Sequence, residues 1–195
     1  MSSALEEMHE IAPHIRVGRA RAGVLLLIVA DALSVLAILA GGGYLSALNT
    51  ENQFKVSGDH PPAFLPGLLL AILLVLSGIA FYVWERRARK DGQTGPAAFL
   101  VLALIFMIVA TVGQTWIGVL LGHSAPFHAY ESLLVILTWF SAVHLFLAAI
   151  IGLLLIGRVM NGRLVGHGYI AEVVGYWWYY TVIASLLMWV FSLLI

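Results

Sequence analysis

The feature that most limits the fold of this chain is a set of five long apolar stretches. They cover residues 22–48, 64–84, 97–121, 130–156 and 173–195. A hydrocarbon core of about 30 Å is crossed by roughly 20 apolar residues in a helix. Because a helix satisfies all its own backbone hydrogen bonds in lipid, and these stretches are too long for barrel strands, we predict five transmembrane helices. The sequence therefore predicts an all-α polytopic membrane protein with a single transmembrane domain over residues 1–195.

The composition excludes several other classes of protein. Hydrophobic residues make up 62% of the chain and charged residues 10%, whereas a soluble domain carries about a quarter charged residues. Ten basic and ten acidic residues cancel, so no net field attracts nucleic acid. The absence of cysteine excludes disulfides, zinc–thiolate sites and iron–sulfur clusters. We expect no nucleic-acid partner and no metal site on this chain.

The basic residues predict the orientation of the helices. Nine of the ten lie on the side that holds the start of the first stretch and the ends of the second and fourth. Only Lys55 lies on the other side. By the positive-inside rule, the N-terminus is predicted inside and the C-terminus outside. Residues 1–11 form either a short amphipathic helix on the inner surface or a frayed terminus.

Two ionisable residues are predicted near the middle of the membrane. Asp31 lies ten residues after Arg21, or about 15 Å along a helix, and His144 lies near the centre of the fourth stretch. A charge at that depth costs about 2.5–3.5 kcal/mol, so each needs a partner. We predict that Asp31 and His144 meet, directly or through water. The other hypotheses are that each bonds to a neighbouring hydroxyl or carbonyl, or that Asp31 is protonated.

Small and polar residues form one face of the fourth stretch. Ser141, His144, Ala148 and Gly152 follow the spacing of three and four residues that stacks side chains on one side of a helix. Small residues on such a face allow a second helix to approach closely. We therefore predict that this face packs against another helix. Gln114 is a further polar residue that is predicted deep in the third stretch.

The fifth stretch begins with an acid and a run of aromatic residues. Glu172 near its start is expected to complement the helix dipole. Residues 176–180 read Tyr-Trp-Trp-Tyr-Tyr, which is typical of an aromatic belt at the inner membrane interface. Because five consecutive residues cover every side of a helix, some of them must face protein or lipid tails.

Four short motifs, taken in order, resemble subunit III of the haem-copper oxidases. They are the apolar run 27–31 ending in Asp31, the Gly-Gln-Thr-Trp of 113–116, the Thr-to-His segment 138–144, and Glu172 with the Tyr-Trp-Trp of 176–178. The resemblance extends over all five stretches.

The chain departs from the family pattern at three positions. Ser141 and Tyr179 stand where the family has histidines, and Val182 stands where it has an aspartate. These differences leave two possibilities: the chain is a divergent member of the family, or it is a relative that serves a different complex.

The resemblance implies a non-catalytic accessory subunit of a cytochrome c or quinol oxidase in aerobic respiration. Such a subunit packs against catalytic subunit I, with subunit II in the same complex, binds phospholipid and supports proton uptake. Haem and copper are then expected on the partner subunits and no cofactor on this chain, in a bacterial or archaeal plasma membrane. Asp31 would be the family's carbodiimide-reactive carboxyl.

The candidate site residues fall into two groups. The buried polar or proton-related group consists of Asp31, His144, Gln114 and Glu172; the helix-packing or lipid-cleft group consists of Ser141, Ala148, Gly152, Trp177 and Trp178. Two alternatives to the oxidase role remain open at this point. One is the same fold in a nitric oxide reductase or another respiratory complex, and the other is a small membrane transporter.

Overall fold

The computed structural model describes residues 13–49, 54–56, 62–90, 96–124 and 128–195. In this part of the chain all regular structure is helical. The helices are α1 (Pro13–Ala47), α2 (Phe64–Lys90), α3 (Ala97–Ser124), α4 (Ala129–Met160) and α5 (Tyr169–Leu194). All five are long and apolar enough to cross a membrane, which confirms the predicted number of long apolar helices. The segment 1–11 lies outside the described residues.

All five helices are longer than the apolar stretches predicted from the sequence. The largest difference is in α1, which begins at Pro13 rather than at residue 22. The added turns carry Arg16, Arg19 and Arg21. Arginine is a good helix former, and its long stem reaches from the edge of the hydrocarbon toward water. The helix therefore continues past the point at which the hydrophobic pattern stops.

Helices α2 to α5 form a closed ring, and α1 lies outside it. In the ring α2 packs on α3, α3 on α4, α4 on α5, and α5 back on α2. Helix α1 packs mainly against α5 and makes a smaller contact with α4. Among its described side chains only Val35 and Gly42 are fully buried. Helix α1 is thus attached by one narrow seam, and most of its surface faces outward.

Contacts between helix ends define the two ends of the bundle. Arg21 near the start of α1 and Arg89 near the end of α2 both contact Glu172 at the start of α5. We term this the inner end, after the orientation predicted from the basic residues. At the opposite, outer end, Gly42 of α1 lies so close to α4 that an added Cβ would be 2.5 Å from Leu133 Cδ2. The orientation in the membrane remains a prediction.

The inner half of the ring is filled by aromatic side chains. The rings of Phe81 and Trp178 are stacked with centroids 4.7 Å apart, and both residues are fully buried. The Trp178 indole donates a hydrogen bond to Ser77 Oγ at 3.1 Å. Helix α4 approaches this core at Gly152, where a Cβ would lie 2.9 Å from Trp178 Cζ3. With Ala148 also fully buried, the predicted packing face of α4 is confirmed.

Candidate functional site

Asp31 and His144 meet between the apolar middle parts of α1 and α4. His144 Nε2 lies 2.8 Å from Asp31 Oδ2, across the seam between α1 and α4. The His144 side chain is 7% exposed and the Asp31 side chain 19%. The predicted direct contact between these two residues, which are 113 positions apart, is therefore confirmed.

The hydrogen bonds determine how many protons the Asp31–His144 pair holds. His144 Nδ1 lies 2.7 Å from the backbone carbonyl oxygen of Phe140, which only accepts, so Nδ1 carries a hydrogen. The short Nε2–Oδ2 contact then needs one proton between the two atoms. Whether that proton sits on the imidazole or on the carboxyl, the pair has no net formal charge. A neutral pair avoids most of the cost of burying a charge in lipid.

Three aromatic side chains hold the pair in place. The Tyr180 hydroxyl donates to Asp31 Oδ2 at 2.5 Å, so this oxygen takes part in two hydrogen bonds. The His144 ring lies between Phe140, at a centroid distance of 4.5 Å, and Trp177, at 5.9 Å. These contacts fix the imidazole in one orientation and leave Asp31 Oδ1 without a hydrogen-bond partner among the described residues.

An apolar groove leads to the Asp31–His144 pair from the exposed surface between α1 and α4. It has a volume of about 520 Å³ and lies between α1 and α4, with α5 behind it. Apart from Asp31 and His144, every lining residue is apolar, from Val24 near the inner end to Val143 beside the pair. The groove exists because α1 and α4 touch over only a short length. Trp177, predicted as a lipid-cleft residue, lines it.

Glu172 is the centre of a second polar cluster at the inner end. It lies in the first turn of α5, as predicted, and its carboxylate is also paired with side chains from two other helices. Arg21 donates to it at 2.7 Å and Arg89 lies 3.6 Å away. Tyr176, one turn along α5, donates at 2.5 Å. The buried carboxylate is thus balanced by two arginines that reach toward the surface.

Glu85 extends the same cluster onto α2. It is buried, with 7% of the residue exposed, and it accepts from Arg89 at 3.3 Å and from Tyr179 at 2.5 Å. Arg89 therefore lies between the two buried glutamates. The cluster ties α1, α2 and α5 together at one level of the bundle.

The aromatic run of α5 packs against the other helices through its two tryptophans and three tyrosine hydroxyls. Trp177 and Trp178 are buried. The three tyrosines donate hydrogen bonds to three different acids: Tyr176 to Glu172, Tyr179 to Glu85 and Tyr180 to Asp31. The expectation that part of the run faces protein is confirmed, and each tyrosine hydroxyl has a carboxylate acceptor on α1, on α2 or on α5 itself.

The remaining predicted polar residues lie apart from the Asp31–His144 pair, toward the outer half of the ring. Gln114 Nε2 donates to the Thr138 carbonyl oxygen at 3.4 Å, a long hydrogen bond. Ser141 donates to Ser185 Oγ at 3.0 Å. Both predicted residues line a separate cavity. Within the described residues, no group of three or more His, Cys, Asp or Glu side chains could hold a metal ion.

Sequence reasoning missed several members of these clusters. Tyr180, Arg21, Glu85 and Arg89 all contact a candidate site residue or extend its cluster. One signal was available for Tyr180, because residues 172, 176 and 180 follow a spacing of four and so lie on one face of α5. The helix that this face contacts could not be read from the sequence.

No family model matches the chain, and a search of the curated proteins returns no match. The function is therefore inferred from the residues of the chain and from the motifs described above.

Proposed function

We propose that this chain is a non-catalytic accessory subunit of a haem-copper terminal oxidase, of the subunit III type. The observation that carries the proposal is the meeting of residues from separate motifs. Asp31 ends the first motif and His144 ends the third, and they form one hydrogen-bonded pair. Tyr180, two residues after the fourth motif, donates to the same carboxyl oxygen.

The lipid-binding part of this role is assigned to the groove between α1 and α4. Its volume of about 520 Å³ falls within the roughly 300–1,000 Å³ of typical ligand sites. The walls are apolar and open on the side of the bundle that faces lipid, which suits a phospholipid acyl chain. A chain seated there would fill the gap beside Asp31 and support α1, which the protein itself holds only along a narrow seam.

Proton uptake by the complex is assigned to the Asp31–His144 pair. The pair shares one proton in a short hydrogen bond, and Asp31 Oδ1 has no protein partner among the described residues. In this role Asp31 is the carboxyl that reacts with a carbodiimide. Haem, copper and electron transfer belong to subunits I and II, against which the apolar outer surface of this chain packs.

The first test is purification of the tagged chain from native membranes in mild detergent. We expect haem bands in the reduced-minus-oxidised spectrum and a large multi-helix catalytic subunit in the mass spectrum. Haem type and partner identity would separate a terminal oxidase from a nitric oxide reductase. A colourless chain without partners would overturn the proposal and favour a transporter, which solute uptake by the reconstituted chain would reveal.

A second test examines the Asp31–His144 pair in the assembled complex. We expect dicyclohexylcarbodiimide to label the wild-type chain at Asp31 and to leave Asp31→Asn unlabelled at that position. The Asp31→Asn complex should assemble with its haems but lose activity faster during turnover than wild type. Leu33→Ala, at an exposed α1 position about half a turn away, keeps the surface apolar and is the control that should behave as wild type. Equal turnover lifetimes in both variants would remove Asp31 from the proposed role.

A further inference from the structure

A second cavity occupies the outer half of the ring formed by α2 to α5. Its volume is about 240 Å³, and it is separate from the groove beside Asp31. The lining begins at Pro62 and Ala63, which precede α2, and extends inward to Ser141 and Ser185. The cavity therefore runs from the outer end of the bundle to a level near its middle.

The lining of this cavity is mainly apolar but includes five polar side chains from α3, α4 and α5, and none of its described residues is charged. The polar lining residues are Gln114, Thr138, Ser141, Ser185 and Ser192. Trp189 also lines the cavity, and its indole nitrogen is buried with no hydrogen-bond partner in the described structure. A polar group that is left unpaired in an apolar medium costs about 0.5–2 kcal/mol or more. Gln114, Ser141 and Ser192 each donate one hydrogen bond within the protein. Water in the cavity would add hydrogen bonds to the remaining amide N–H and oxygen lone pairs of this lining, which hydrocarbon cannot supply.

The inner end of the cavity is closed by packed side chains. Leu74 lines its lower wall, and below it the stacked rings of Phe81 and Trp178 fill the ring of helices. The Ser141–Ser185 hydrogen bond lies where the cavity ends. Ser141 and His144 are three residues apart on the same buried face of α4, so the cavity stops one helical turn from the Asp31–His144 pair.

We propose that this cavity is a water-filled vestibule that admits solvent and small polar solutes from the outer end as far as the Ser141–Ser185 pair. At about 30 Å³ per molecule its volume holds about eight waters. The Asp31–His144 pair would then have water one turn away on its outer side and lipid in the groove on its inner side. This proposal does not depend on the oxidase role, since it concerns only the solvent reached by this chain.

Cysteine accessibility tests the vestibule directly, because the chain contains no cysteine. Ser185→Cys places a thiol on the cavity wall, and Ala184→Cys places one at the same depth on a buried side of α5 that does not line the cavity. The full chain is treated in right-side-out membrane vesicles with an impermeant methanethiosulfonate-trimethylammonium reagent. Because only a solvated thiol ionises and reacts, we expect Ser185→Cys to be modified at least about tenfold faster than Ala184→Cys.

A second pair of variants keeps the test decisive if the Ser185 variant fails to fold. Ser141 lines the cavity from α4, whereas the neighbouring Ala142 is buried but does not line the cavity. We expect Ser141→Cys to be modified at least about tenfold faster than Ala142→Cys. Equal rates within both pairs, or reaction of Ser141→Cys only with membrane-permeant N-ethylmaleimide, would overturn the proposal in favour of a lipid-filled or closed cavity. Faster modification in inside-out vesicles than in right-side-out ones would overturn the assigned side.

Discussion

Replacing the Asp31–His144 pair one residue at a time should destabilise the protein more than replacing both residues together. His144→Phe keeps a ring between Phe140 and Trp177 but removes the Nε2 contact with Asp31. The carboxyl then retains only Tyr180 as a partner. A poorly paired acid at this depth costs about 2.5–3.5 kcal/mol, so we expect the free energy of unfolding to fall by about 3 kcal/mol.

Asp31→Leu acts on the other half of the pair. It leaves His144 Nε2 and the Tyr180 hydroxyl without their shared hydrogen-bond partner, and each unpaired buried group costs about 1–3 kcal/mol. In the double variant only the Tyr180 hydroxyl remains unpaired. The double variant escapes the cost of the poorly paired carboxyl, about 3 kcal/mol, and that of the unpaired imidazole, about 1–3 kcal/mol, so the coupling has an upper limit of about 4–6 kcal/mol. Because the surroundings of each single variant relax, we expect a coupling of about 1–3 kcal/mol, within the range that is measured for contacting residues.

The assay is unfolding of the chain in mixed micelles of increasing sodium dodecyl sulfate fraction, followed by tryptophan fluorescence. Asp31→Leu combined with Gln114→Leu is the control, because α1 and α3 do not touch; these two changes should add within about 0.5 kcal/mol. Strict additivity for Asp31 and His144 as well would refute the paired arrangement. Hydrogen-bond couplings in membrane proteins average about 0.6 kcal/mol. A coupling energy between Asp31 and His144 near 1 kcal/mol or above is therefore needed to support the paired arrangement.

Two further predictions concern the packing of the ring. Gly152→Leu places a Cβ 2.9 Å from the Trp178 ring and should lower the thermal midpoint markedly. The control is Gly157→Leu, where an added Cβ has no neighbour within 4 Å, and it should leave the midpoint unchanged. Ser77→Ala removes the acceptor of the Trp178 indole hydrogen bond and should lower the free energy of unfolding by about 1–3 kcal/mol. The control is Ser34→Ala, because Ser34 is exposed and bonded only to its own helix; its free energy of unfolding should stay within about 0.5 kcal/mol of wild type. Detergent thermal melts measure both pairs, and equal effects within either pair would contradict the packing described.

Local properties of the sequence predicted the helices and the depth of the site. Hydropathy and helix length predicted five long apolar helices, because the preference of a side chain for an apolar environment does not depend on which other helix it contacts. The rise of about 1.5 Å per residue placed Asp31 and His144 at similar depth. Helix ends were less well predicted, since the helical stretch around Arg16 and Arg19 continues beyond the apolar pattern. The packing face of α4 followed from its small residues.

Depth alone did not determine which helices would meet. Tyr180 could have faced lipid or any neighbouring helix, and only the packing of α1 against α5 brings its hydroxyl to Asp31. The same packing pairs Arg21 with Glu172. The sequence by itself determined the five spans and two ionisable residues at membrane depth. The tertiary structure decided that α1 lies outside a ring of four helices, with a groove on one side and a separate cavity in the ring. The physical reason is that helix rotation and choice of neighbour depend on how whole surfaces fit together, which no single stretch of sequence contains.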